Sequence, residues 1–324
     1  MNSLNMLVNK FKYIISTKLF IFLVKLFLTI LLLYLSFANV DFYEIKKLIK
    51  TINLSNLQIY ALLIFFIPLI VSFRMQLVSS LSGVKVPLKN IITYTYSCHF
   101  INQFIPFPSF GDIVKVFFLK KYTSLKKTTQ IIISDRLIGM LGLSSLSLIF
   151  LLSILVLSFL QVDSKTNNNL ILILIAFLFF ILMFFKFLPN VFSKFDFTFL
   201  NFFLEIFSIV NNVFYRSNFF KILLLTSVLI FIDLSILILI MKLLDVAIII
   251  FLLLYAPIVI LFSLFPITFA GWGLREFLFL TFLSPYISDL SLVITISIIF
   301  GLFLSIGSLP GLVFIIRNLF KVKS

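Results

Sequence analysis

The side chains best placed to do chemistry in this sequence fall in two short stretches set between apolar runs. The first reads Asn102-Gln-Phe-Ile-Pro106-Phe-Pro108-Ser109-Phe-Gly111-Asp112, and the second Pro266-Ile-Thr-Phe-Ala-Gly271-Trp-Gly273-Leu-Arg275-Glu276. In each, a Pro is followed five residues later by a Gly, and charged groups come within the next turn or so. Irregular backbone at membrane depth is tolerated only where it is buried in protein or lines a wet cavity. The half-helices that restart near Ser109 and Gly273 would turn free N–H groups and a positive dipole end toward the bilayer centre, a place for an anion such as phosphate. Ser109 and Asp112 also have the Ser-x-x-Asp spacing of a capping-box variant, which gives Asp112 a structural reading beside the ligand one.

Four further ionisable residues, Arg74, Asp135, Arg136 and Asp233, belong to the same inventory. An ionisable group inside the bilayer costs about 2.5–3.5 kcal/mol on insertion scales, so each marks either a functional site or an ion pair that pins helices. Asp135 precedes Arg136 and Glu276 follows Arg275, but neighbours in sequence do not face each other on a helix, so partners are expected across the bundle. Asp233 needs a partner or a proton, and Arg275 and Arg136 are the candidates. Other chemistries fall away. The single Cys98 and single His99 exclude an internal disulfide, a cysteine metal cluster and a histidine-triad site. No Gly-x-x-x-x-Gly-Lys-Ser/Thr loop is present, so ATP is not the direct energy source, and no cofactor or metal is expected.

The elements that must position these groups are membrane helices. The 324 residues are 62% hydrophobic and 11% charged with a mean hydropathy of +1.25, against roughly 45–50% apolar and about 25% charged in soluble domains. The 45 Phe residues read as the codon bias of an A- and T-rich genome and say nothing about ligands. A net charge of +15 suggests nucleic acid at first sight, but the basic residues lie between apolar runs and form no continuous patch, so no nucleic-acid partner is expected. The pattern predicts an all-α polytopic integral membrane protein with eight hydrophobic segments. About six are full transmembrane helices, at 19–38, 57–73, 128–160, 170–188, 219–241 and 290–316. Two are Pro/Gly-broken re-entrant hairpins, 86–105 with 109–121 and 246–265 with 274–283. Residues 39–56 read as a loop or short surface helix, and 197–213 as an amphipathic helix at the interface. A single domain spans 1–324. Most basic residues, Arg74 and Lys115 among them, fall on the side of the N-terminus, while Lys46, Lys47, Lys50, Lys165 and Lys242 fall on the other. This asymmetry predicts an inner (plasma) membrane protein with both termini cytoplasmic. The two hairpins then enter from opposite faces, which makes 86–160 and 246–316 candidate inverted repeats of the transporter type. Two kinked spanning helices are the competing reading.

Asn102-Gln-Phe-Ile-Pro106, Gly111-Asp112, Asp135-Arg136 and Pro266…Gly271-Trp-Gly273-Leu-Arg275-Glu276, in this order, resemble the lysylphosphatidylglycerol synthase transmembrane region, also called the flippase-like domain family. Arg74 after the second helix fits the same pattern, and the resemblance covers nearly the whole chain. It implies a bilayer-embedded domain that moves or handles lipids or lipid-linked sugars. In the synthases this region precedes a soluble aminoacyltransferase domain. Here seven residues follow Arg317, so a stand-alone membrane domain without synthase activity is expected. Other stand-alone relatives are associated with polyprenyl-linked glycosylation or hopanoid transport. The expectation is a non-enzymatic lipid translocator with membrane lipids as partners. The anionic headgroup would meet Asn102, Pro106, Ser109, Gly111, Asp112, Arg136, Pro266, Gly271, Gly273, Arg275 and Glu276. Arg74 would lie nearer the cytoplasmic rim, and Arg74, Asp135 and Asp233 would serve coupling or ion pairing. Three alternatives stand beside it: an accessory subunit presenting lipid-linked sugar to a glycosyltransferase, a lipid transferase using Asp112 or Glu276 as general base, and a small-ion or solute transporter.

Overall fold

Hydrocarbon offers no water to hydrogen-bond the backbone, so a spanning chain must satisfy its own N–H and C=O groups. The computed structural model does so with helices, and no strand occurs among the residues it describes: 20, 22–38, 40–51, 62–105, 110–159, 172, 174–176, 179, 198–215, 218–246, 249–265 and 267–321. We number the helices α1 (Phe22–Phe37), α2 (Phe42–Thr51), α3 (Phe66–Leu81), α4 (Leu88–Phe104), α5 (Phe110–Leu119), α6 (Leu125–Phe159), α7 (Thr198–Tyr215), α8 (Asn218–Leu243), α9 (Ile249–Ser263), α10 (Leu274–Leu283), α11 (Leu290–Ser308) and α12 (Pro310–Lys321). Among the described residues, four stretches are long and apolar enough to cross a membrane: Leu62–Leu81, Leu125–Val156, Phe220–Leu243 and Leu290–Arg317. The pair α1 and α2, bent by 84°, gives a fifth if counted as one span. The expected span at 170–188 lies mostly outside the described residues.

The all-α polytopic expectation therefore holds, with two adjustments. The second span extends further toward the C-terminus than expected: α3 continues past Arg74 to Leu81, because Met75, Leu77 and Val78 extend its apolar face. Residues 39–56, expected as a loop or short surface helix, contain an amphipathic helix, α2, with Ile45 turned inward and Lys46, Lys47 and Lys50 on the other faces. The last span is two helices in series, separated at Leu309 before Pro310, which has no N–H to donate.

α8 is the centre of the bundle, packed against α3, α6, α9 and α11. Its Ile236, Leu237 and Ile240 are fully buried with Val259 of α9 and Val293 and Ile296 of α11. The outer surface carries Phe27, Phe117, Phe220, Phe231 and Val313 exposed, an arrangement stable only against lipid.

Each expected hairpin forms. α4 packs on α5 and α9 packs on α10, and the ten-residue second arms α5 and α10 reach only about 15 Å, half the hydrocarbon thickness. The packing around them is reciprocal. The second arm of each hairpin lies on the long helix that follows it, α5 on α6 and α10 on α11. The first arm of each lies on the long helix that follows the other, α4 on α11 and α9 on α6.

Candidate functional site: a polar cavity between the two hairpins

A cavity of about 380 Å³ lies where the two hairpins converge. α3 supplies Arg74 and α4 supplies His99, Asn102 and Gln103; Asp112 and Lys115 come from α5, and Asp135, Arg136 and Gly139 from α6. α8 adds Thr226 and Asp233, and the second break and α10 add Thr268, Ala270, Gly271 and Arg275. Residues widely separated in sequence thus share one wall. Pro106, Ser109 and Pro266 lie outside the described residues.

Three ion pairs organise the charge. Arg74 donates from Nε to Asp135 Oδ1 at 3.0 Å and from Nη2 to Oδ2 at 3.4 Å, a two-pronged pair buried between α3 and α6. Arg74, expected nearer the cytoplasmic rim, is buried against α6. It lies inside the bundle because its helix runs on for seven residues beyond it. Arg136 Nη2 meets Asp112 Oδ2 at 3.0 Å across α6 and α5, and this pair is partly open, with side-chain exposures of 40% and 23%. Both pairs cross the bundle as expected.

The third pair departs from expectation. Arg275 donates from Nη2 to Oε1 of the adjacent Glu276 at 3.0 Å, with both residues buried. The reason lies in the helix start. Gly273, at φ +84°, precedes α10, and its N–H donates to Glu276 Oε2 at 2.6 Å. Capping its own N-terminus swings the Glu276 carboxylate back along the helix, where the Arg275 side chain can reach it. Ser297 of α11 adds a hydrogen bond, its hydroxyl donating to Glu276 Oε1 at 2.9 Å. The guanidinium carbon of Arg275 stands 4.7 Å from the ring centre of Trp272 and 5.9 Å from that of Phe300, so aromatic faces cover it where water does not.

Both buried arginines rest on a glycine. A Cβ built on Gly139 runs into the Arg74 guanidinium, and one built on Gly301 runs into that of Arg275. Gly139 lies four residues after Asp135 and Gly301 four after Ser297, so each long helix presents a polar group and then, one turn on, a bare backbone. Neither glycine is recognisable from sequence, because the signal is a register between two helices distant in the chain.

One N–H near the start of each half-helix is engaged within the protein. The Gly111 N–H donates to Asn102 Oδ1 at 2.9 Å, and the Gly273 N–H is taken by Glu276. These two donors are already satisfied by protein acceptors. Asp233 pairs with neither Arg136 nor Arg275: its Oδ1 is buried without a hydrogen-bond partner among the described residues, as is Thr268 Oγ1. Lys115, expected among the cytoplasmic loop charges, is 94% buried in the cavity wall. The signal that could have found it is its spacing: it lies four residues after Gly111, on the helix face turned to α4.

A family model described as "Lysylphosphatidylglycerol synthase TM region" matches residues 22–311. The chain belongs to this family. The match includes both hairpins, the long helices after them and every ionisable residue of the cavity, so the lysylphosphatidylglycerol synthase TM region is the whole of the site's scaffold. A search of curated proteins found none that matches.

Proposed function

We propose that this protein moves a membrane lipid with an anionic headgroup from one leaflet to the other. The observation that carries this reading is the cavity lined by both broken hairpins and bearing four cationic side chains, inside a bundle whose outer surface is apolar. A volume of about 380 Å³ is at the small end of ligand sites and suits a headgroup, while the lipid tails stay in hydrocarbon. The membrane family supports a lipid-related role, and translocation is the step added here.

The reciprocal packing of the hairpins supports reading 86–160 and 246–316 as two repeats that can rock about the cavity. The excess of basic residues on the N-terminal side supports placement in the inner membrane with both termini cytoplasmic; removing the buried Arg74 and Lys115 from that side leaves the imbalance in place. Membrane lipids are the partners under this reading, and no bond is made or broken. The two carboxylates a transferase could use as base, Asp112 and Glu276, are both held in ion pairs.

Proteoliposomes with labelled phospholipids, and separately with a labelled polyprenyl-phosphate sugar, test the proposal. Protein-dependent exposure of one headgroup class on the far leaflet is expected, and Arg136→Ala should reduce it. If no lipid moves but one binds with the same arginine dependence, the protein presents lipid to a partner enzyme instead.

A further inference from the structure

Among the described residues, the cavity holds one cation with no carboxylate within 4.0 Å. Arg74, Arg136 and Arg275 are paired with Asp135, Asp112 and Glu276 at 3.0 Å each. Lys115 has no hydrogen bond and no carboxylate within 4.0 Å among the described residues, although only 6% of it is exposed. A buried ammonium without a partner is costly, and the cavity is the one place its donors can be met.

Its surroundings point the same way. Lys115 and Gly111 share the face of α5 that lies on α4, where Gly111 sits so close to Asn102 that a Cβ there would be 2.8 Å from its carboxamide. Asn102 spends its oxygen on the Gly111 N–H, which fixes the amide and leaves its nitrogen with no acceptor among the described residues. An ammonium and an amide N–H₂ on adjacent helices, both lining the same cavity, match the oxygens of a phosphate. Asp233 lies in the same wall, with its Oδ1 unpartnered among the described residues.

Resting on the translocation reading, we infer that Lys115, with Asn102 beside it, is the residue that takes the lipid phosphate, and that the site accepts one phosphate and not two. The arginines then hold the walls in place. A singly charged phosphodiester is matched by one ammonium. A diphosphate-linked lipid brings a second charge that the cavity leaves uncompensated.

The test compares wild type, Lys115→Met and Lys115→Arg in proteoliposomes containing a labelled phosphatidylglycerol or a labelled polyprenyl diphosphate. Equilibrium binding of short-chain phosphatidylglycerol in detergent is measured on the same proteins. Lys115→Met is expected to weaken binding and slow translocation by about tenfold or more, as loss of a charged hydrogen bond would, with Lys115→Arg recovering most of it. Wild type alone should favour the phosphodiester over the diphosphate, a comparison that needs no variant to fold. Wild-type behaviour in Lys115→Met, or equal handling of the two lipids, overturns the inference. Binding that depends on Lys115 in a protein that moves no lipid sustains it and removes the translocation reading.

Discussion

The guanidinium of Arg275 lies over Gly301, in the space where any larger residue would place its side chain. The contact joins the first turn of α10 to the middle of α11 and lets Arg275 reach Glu276, Ser297 and the Trp272 ring together. Gly301→Ala should therefore destabilise the protein by about 1–3 kcal/mol through overpacking. Leu302→Ala, one residue away on a lipid-facing position, should change little. Thermal unfolding in detergent ranks the two, and equal melting points would contradict the tight seat.

The Arg74–Asp135 pair predicts a strongly non-additive pair of substitutions. Removing either partner strands a buried charge and should cost about 3–5 kcal/mol, while Arg74→Met with Asp135→Leu together should cost less than either alone. Urea or thermal denaturation of the three variants measures the coupling. Simple addition of the two losses would mean that the pair is not closed in the protein.

Burial should separate the two carboxylates of the hairpins. Asp112 sits in a partly open pair and Asp112→Asn should cost at most about 1 kcal/mol. Glu276 is inaccessible and accepts from Gly273, Arg275 and Ser297, so Glu276→Gln should cost about 3–5 kcal/mol. The order of the two melting points is the check.

A pH dependence is expected at the edge of the bundle. Glu205 of α7 accepts from Lys126 Nζ at 2.8 Å and from Gln130 Nε2 at 2.7 Å, and these two bonds hold its carboxyl below the ordinary value. A depressed acid contributes to docking above its unfolded value and loses that contribution as pH falls through the folded one. The attachment of α7 to α6 should therefore loosen below about pH 4–5, near the ordinary Glu value. The effect is small because the pair is exposed. Cross-linking between cysteines placed on α6 and α7 should fall with acid in the parent and not in Glu205→Gln.

Much of this architecture is legible in one sequence because lipid simplifies the code. Apolar length locates α6, α8 and α11, and Pro with Gly marks both hairpins to within a few residues. The site reads less completely. Asp112, Arg136, Arg275 and Glu276 stand out as charges in apolar surroundings, but which charges pair depends on helix register. Glu276 could not be matched to Arg275 without seeing that it caps Gly273. Arg74 was misplaced because a charged residue resembles the end of a span when its neighbours across the bundle are unknown. Lys115 was hidden by three flanking features: a short half-helix, nearby loop lysines at Lys120 and Lys121, and no motif of its own.

The contact between the first helix and the second break bears on how the protein is made. Thr29 of α1 accepts a hydrogen bond from the Phe269 N–H at 3.2 Å through its hydroxyl, and its carbonyl oxygen lies 2.9 Å from where a Cβ on Gly273 would be. α1 is thus seated against residues synthesised some 240 positions later. Until that segment arrives, α1 must wait in the bilayer with this face unfilled. Completion of this contact waits for synthesis of the second hairpin, and a chain arrested before it would display an unclosed α1 to the membrane's quality-control proteases.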